Sequence, residues 1–189
     1  MLTVYWNEYQ LEKKKKYIVY FTGNFSPPHK SHIARIEPYF NKKNVQILIH
    51  LWGNEKRHNI PIETSFEILK IYFKDVNNVT IEKFDPLFTN IYKQKKLDYL
   101  LFIRGNEDFN TTIKTDYLNT YSDLIKNLRK KGVTSLVLIK DRTPKNISST
   151  EMCKYRNSDG IFNFLPEFLT IEEKIKIKEI FDLKRILNE

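Results

Sequence analysis

Cysteine is almost missing from this chain: Cys153 stands alone among 189 residues. A single thiol excludes an intrachain disulfide and any zinc site built on several cysteines, and it fits a reducing compartment. Long apolar runs are missing as well. None approaches the ~18 residues that a membrane span needs, and residues Met1 to Leu11 lack the apolar stretch of a secretory leader. The expectation is a cytoplasmic protein with no membrane partner. Internal repeats are absent, and glycine is scarce at five residues, so linkers of low complexity are excluded. Acid is the minority charge. With 23 Asp+Glu against 32 Lys+Arg the chain carries +9 and an isoelectric point near 9.4, which welcomes an anionic partner. Many lysines nevertheless sit among Asn, Ile, Tyr and Phe, a bias that an AT-rich genome produces by itself. Each lysine run therefore reads first as solvated surface, and nucleic acid is not expected as a partner.

Hydrophobic residues at 41% and charged residues at 29% are the proportions of a chain that buries a real core. The length allows one domain with short appendages. Four runs rich in β-branched, aromatic and aliphatic residues read as buried strands: Tyr17 to Thr22, Val45 to Leu51, Tyr99 to Ile103 and Ser135 to Ile139. Val79 to Phe84 is a weaker fifth. Between them, Ser65 to Phe73 and Tyr117 to Lys131 have helical period, the second with Leu118, Tyr121, Leu124, Ile125 and Leu128 on one stripe. Ile171 to Leu187 predicts a long amphipathic helix burying Ile175, Ile177, Ile180, Phe181, Leu183 and Leu187.

Strands alternating with helices predict an α/β fold, a Rossmann-like five-stranded parallel sheet flanked by helices, with a C-terminal helix. The division expected is an appendage over 1–16, a main domain over 17–168 and the C-terminal helix over 169–189. The run Lys13 to Lys16 reads as the spacer after an appendage carrying Val4, Tyr5, Trp6, Tyr9 and Leu11.

Gly23, Gly53 and Gly105 each close a predicted strand and are followed by polar residues. In open α/β sheets ligands bind outside the strand carboxyl ends, where glycine lets the backbone come close. The first of these loops is the most specific feature: Gly23-Asn24-Phe25-Ser26-Pro27-Pro28-His29-Lys30-Ser31-His32. Two histidines three apart share a helix face, so His29 and His32 can meet one ligand. With no third ligand in view the pair is poor for zinc, and no protein metal site is expected. Ser148-Ser149-Thr150, with Glu151 behind, reads as a helix cap and start.

The first loop resembles the signature of the nucleotidyltransferase α/β phosphodiesterase superfamily: glycine, an aromatic, an acid or polar residue, proline, then His-x-Gly-His. Ile147-Ser148-Ser149-Thr150, with Lys154 and Arg156 downstream, resembles the second signature of that superfamily. Within it, residues 17 to 168 are most similar to phosphopantetheine adenylyltransferase, through Asn54 to Arg57, Ile60 to Glu63, Asn78 to Phe84, Ile103-Arg104-Gly105 with Asp108-Phe109, and Asp159 to Pro166. The chain departs from that pattern at Asn24, Ser26, Ser31 and Ser65. Ser31 replaces the signature glycine, so a change in base preference or weaker binding is expected there.

The resemblance implies transfer of AMP from ATP to a small phosphorylated acceptor, with 4′-phosphopantetheine as the leading expectation, and release of pyrophosphate. It implies His32, Lys56 and Arg104 as catalytic. It implies Gly23, Asn24, Phe25, His29, His32, Gly105, Asp108, Ser148, Ser149 and Thr150 around the nucleotide, and Asn24, Lys56 and Arg104 around the acceptor. Mg²⁺ is expected to arrive with ATP. The family often assembles into homo-oligomers. Other readings of the same residues are a nicotinamide mononucleotide adenylyltransferase, which Phe25-Ser26-Pro27-Pro28 resembles as well, a glycerol-3-phosphate cytidylyltransferase-like enzyme, and a non-catalytic nucleotide or RNA binder. Trp52 is expected to stack on a ring or to pack. His50 and His58 read as structural, and Cys153 as packing.

Overall fold

A computed structural model of the chain describes residues 3–6, 8–52, 60–105, 116–141, 144 and 147–186. Six strands form one all-parallel sheet: β1 (Thr3–Trp6), β2 (Tyr17–Gly23), β3 (Val45–Leu51), β4 (Val79–Lys83), β5 (Tyr99–Gly105) and β6 (Thr134–Lys140), in the order β1-β6-β5-β2-β3-β4. The helices are α1 (Lys30–Ile33), α2 (Ile62–Tyr72), α3 (Thr89–Tyr92), α4 (Asp116–Lys130), α5 (Ser149–Lys154) and α6 (Ile171–Ile186). The fold is α/β and Rossmann-like, with the C-terminal helix present.

Alternation along the strands builds two cores. Tyr17, Val19 and Phe21 of β2 face the cluster that includes Ile47, Ile49, Leu101 and Leu138, covered by Ile68, Leu69 and Tyr72 of α2 and by Ile177 and Phe181 of α6. Ile18 and Tyr20 face the other way, onto Leu48, Leu100, Phe102 and Val137, covered by Tyr121, Leu124 and Leu128 of α4. Each such side chain contributes about 1.5–3 kcal/mol by leaving water, so a strand buried on both faces needs the near-continuous apolar runs seen in β2, β3, β5 and β6. Gly132 closes α4 at φ +79°, where the N–H of Val133 reaches Leu128 O and that of Gly132 reaches Arg129 O, both at 3.0 Å. This satisfies two terminal carbonyls of the helix and turns the chain into β6.

Two expectations are corrected. The sheet has six strands rather than five, because residues 3–6 of the expected appendage join it, paired with β6 from Thr3↔Leu136 to Trp6↔Ile139. Tyr9 and Leu11 then pack against the core. The strand is short, lies at the edge and exposes all four residues, so it lacks the alternation by which strands are read. In α6, Ile175 is 44% exposed while Ile177 is fully buried. Two residues are about 200° apart on a helix, so both cannot face α2. The side chains of Leu118, Leu183 and Leu187 lie outside the described residues.

Candidate active site

The strand order fixes where a ligand can enter. From β2 the chain winds through β3 to β4, then returns to the other side of β2 as β5, so the order reverses between β2 and β5. Outside the carboxyl ends of these two strands the loops diverge and leave a crevice. A cleft of about 360 Å³ lies there, lined by Thr22, Gly23, Asn24, Phe25 and Ser26 after β2, His29, His32 and Arg35 around α1, Arg104 and Gly105 of β5, and Ser148 and Ser149 at α5. That volume is in the range of a small-molecule site.

Three hydroxyls from two helices hold the first loop. Ser65 Oγ of α2 donates to Phe25 O at 2.7 Å, Ser149 Oγ of α5 to Pro27 O at 2.9 Å, and Tyr72 OH of α2 to Pro28 O at 3.0 Å. The loop needs such support, because Phe25 sits at φ +43°, a left-handed conformation that costs a residue with a side chain about 1–3 kcal/mol. The Phe25 ring is buried against Phe21 and edge-on to His32, each at 5.1 Å between centroids. Burial also pushes the Tyr72 phenol well above its ordinary range, so it stays a donor at any working pH.

The two imidazoles stack at 3.7 Å between centroids and 25° between planes. The backbone N–H of His29 donates to His32 Nδ1 at 3.3 Å. A neutral imidazole that accepts at Nδ1 carries its proton on Nε2, so His32 presents an N–H donor from the cleft wall. Arg104 Nη1 donates to Thr22 O at 3.3 Å, which lays its guanidinium across the switch point. Ser148 Oγ accepts from Glu151 N at 3.1 Å as the cap of α5, which leaves its own O–H able to donate. The proton of Ser149 Oγ is engaged by Pro27 O, so that hydroxyl is a strut between the two motifs.

Of the sequence-derived residues, Gly23, Asn24, Phe25, His29, His32, Arg104, Gly105, Ser148 and Ser149 meet around this one cleft. Thr150 is exposed at the start of α5, beside the cleft lining. Lys56, Asp108 and His58 lie outside the described residues, as do Gly53 and Arg57. Ser31 is buried and turns its hydroxyl to Pro144 O at 3.0 Å, away from the cleft. Lys154 pairs with Glu151 at 2.6 Å on the surface.

Arg35 joins the site without a sequence signal of its own. The residue is buried, 6% exposed, and borders the cleft; the three-residue step from His29 through His32 leads to it. Trp52 is 38% exposed, stacks on Phe84 at 4.1 Å and donates from Nε1 to Thr22 Oγ1. Cys153 packs against the core, and burial pushes its thiol up, away from reactivity.

No carboxylate lines the cleft among the described residues, whereas two arginines and two imidazoles do. Fixed donors and cations in a partly enclosed site are what a polyanion requires. A family model described as cytidylyltransferase-like matches residues 20–154. The chain belongs to the cytidylyltransferase-like family.

Its members are nucleotidyltransferases. No curated protein matches in a direct sequence comparison. Solved structures share the fold. The nicotinic acid mononucleotide adenylyltransferase of Plasmodium falciparum superposes with a TM-score of 0.58 at 15% identity in its complex with APC, and 0.54 at 16% in its complex with NaAD. Both comparisons cover 89% of this chain and 98% of that one. The NadR protein in complex with NR gives 0.52 at 20% identity, over 74% of this chain and 42% of the other. Phosphopantetheine adenylyltransferase, the leading expectation from sequence, is not among these neighbours, and they give coenzyme A synthesis no support.

Proposed function

We propose that this cytidylyltransferase-like protein transfers AMP from MgATP to a pyridine mononucleotide, the nicotinate or nicotinamide form, giving the dinucleotide and pyrophosphate. The observation that carries the reading is the Ser149–Pro27 hydrogen bond, which joins the second motif to the first beside one cationic cleft. The acceptor is favoured by the names of the neighbours of like fold. It is also favoured by the Phe25-Ser26-Pro27-Pro28 loop and by Trp52, an indole at the rim fixed through Thr22. A planar pyridine ring suits such a neighbour.

In the reaction a phosphate oxygen of the acceptor attacks the α-phosphorus in line, a new P–O bond forms, and the bond from the α-phosphorus to the bridging β-oxygen breaks. The dianionic acceptor needs no base, so the protein's work is alignment and charge neutralisation. We assign the Nε2–H of His32 to the α-phosphate oxygens of the transition state and His29 to the triphosphate. Arg104, with Lys56, spans the acceptor phosphate and the developing charge. Ser148 and Thr150 donate to the leaving phosphates, while Gly23, Asn24, Gly105 and Asp108 border the nucleoside. Mg²⁺ enters as part of MgATP. A cleft without carboxylates among its described residues fits an ion held by phosphate oxygens, since Mg²⁺ keeps several waters and uses substrate phosphates as ligands.

The test is pyrophosphate release from MgATP with nicotinate mononucleotide, nicotinamide mononucleotide, 4′-phosphopantetheine and glycerol 3-phosphate, with MgCTP in parallel. Release with a pyridine mononucleotide is expected. Release with phosphopantetheine alone would replace the acceptor, and no release with any pair would leave a nucleotide-binding protein.

A further inference from the structure

The pole opposite the cleft collects lysines that the sequence keeps apart. Segments 13–16, 42–43, 93–96 and 129–131 lead into β2, β3, β5 and β6, and together they carry twelve of the chain's 32 basic residues. Register aligns the strand starts, Thr134 beside Tyr99, Tyr99 beside Tyr17 and Tyr17 beside Val45. At about 4.8 Å between strands, four neighbouring starts form a row roughly 14 Å across.

The segments are knit to one another directly. Asn44 Nδ2 donates to Lys15 O at 2.9 Å, Lys16 N to Asp98 Oδ2 at 2.8 Å, and Thr134 N to Asp98 O at 2.9 Å. A groove of about 520 Å³ runs along the row between Lys16, Lys43, Lys93, Lys95 and Lys96. A smaller one, bordered by Lys131, continues it through the shared Gln94, Lys95 and Leu97.

Local acids offset only part of this charge. Asp98 is engaged by Lys15 Nζ and Lys16 N, and the Lys16 amide first, then Lys15, holds its carboxyl below the usual range. Glu12 accepts from Tyr99 OH, and Asp75, nearer β4, sits against Lys74. None of the large apolar side chains exposed among the described residues belongs to these four segments or to the strand starts they lead into.

We propose that this basic pole binds single-stranded nucleic acid through its phosphate backbone, at a site separate from the nucleotide cleft. A concave cationic track admits a flexible chain of phosphates. A bilayer is flat and gains from inserted apolar side chains, which this face does not offer. Separation is given by the strands themselves, which run seven residues from pole to cleft, or roughly 20 Å.

The experiment is fluorescence anisotropy of a labelled single-stranded RNA of about 16 nucleotides against the full chain. If five lysines meet phosphates, the slope of log K on log salt is about −3.5, and affinity falls roughly a hundredfold between about 50 and 200 mM salt. Replacing three of them, Lys93→Gln, Lys95→Gln and Lys96→Gln together, is expected to lower the magnitude of that slope by about 2. The triple variant should keep its far-ultraviolet circular dichroism and its MgATP affinity, and saturating MgATP should not displace the RNA. No RNA binding at low salt, an unchanged slope in the triple variant, or displacement by MgATP would overturn the proposal. So would tighter binding to phosphatidylserine vesicles than to RNA, which would make the partner a membrane surface.

Discussion

Ser149 Oγ donates to Pro27 O at 2.9 Å across a sequence separation of 122 residues. This bond fixes the helix start that carries one motif against the loop that carries the other, and Ser65 holds the same loop two residues earlier at Phe25. The loop that carries the left-handed Phe25 between β2 and α1 is thereby held by two helices.

Ser149→Ala removes that donor and leaves a part-buried carbonyl without it. The expected loss is about 0.5–1.5 kcal/mol in urea unfolding, with a several-fold weaker nucleotide affinity by titration calorimetry. If affinity is unchanged while stability falls, the bond supports the fold and does not position the site.

His32→Ala is expected to lower turnover by about a hundredfold or more, as loss of one transition-state donor does, with little change in the Michaelis constant. His32→Gln, which keeps a side-chain N–H, should recover part of it. An effect confined to the Michaelis constant in steady-state assays of pyrophosphate release would contradict the assigned role.

Gly23→Ala separates crowding of the ligand from damage to the fold. A methyl group there would meet the Phe25 ring at 3.5 Å, an ordinary contact. The melting temperature should therefore hardly move, while nucleotide affinity drops because the ligand has to come close to this backbone. Unchanged binding would mean that the nucleotide keeps its distance from β2.

His50 gives a pH signature independent of the cleft. It is fully buried, with Nδ1 2.9 Å from Tyr20 OH and Nε2 against the Glu82 carboxylate, whose other oxygen accepts from Asn90. Burial holds its pKa below the usual histidine value, outweighing the opposing pull of Glu82. The folded protein thus resists a proton that the unfolded chain accepts near pH 6.5, so stability falls as pH drops below about 6.5. Urea midpoints between pH 7.5 and 5.5 should decline for the natural protein and decline less for His50→Gln. Equal slopes would assign the decline to other groups.

Some of this is legible in the sequence. The apolar runs of β2, β3, β5 and β6 named themselves because strands buried on both faces must be nearly continuous in Val, Ile, Leu and aromatics. The histidine loop and the Ser148 cap were legible because their residue types match their backbone tasks. β1 was not: an exposed four-residue edge has no pattern, and its partner β6 is more than a hundred residues away. Arg35 was hidden for a similar reason, since burial beside the cleft depends on what packs over it.

The sequence by itself determined the strands, the helix stripes and the two motifs, because these follow from local periodicity and from what each side chain can donate or accept. Only the tertiary structure decided that Ser149 reaches Pro27, that Ser31 turns toward Pro144, and that four separate lysine runs share one pole. Those are relations between distant segments, set by strand order and crossover, and no short window of sequence contains them.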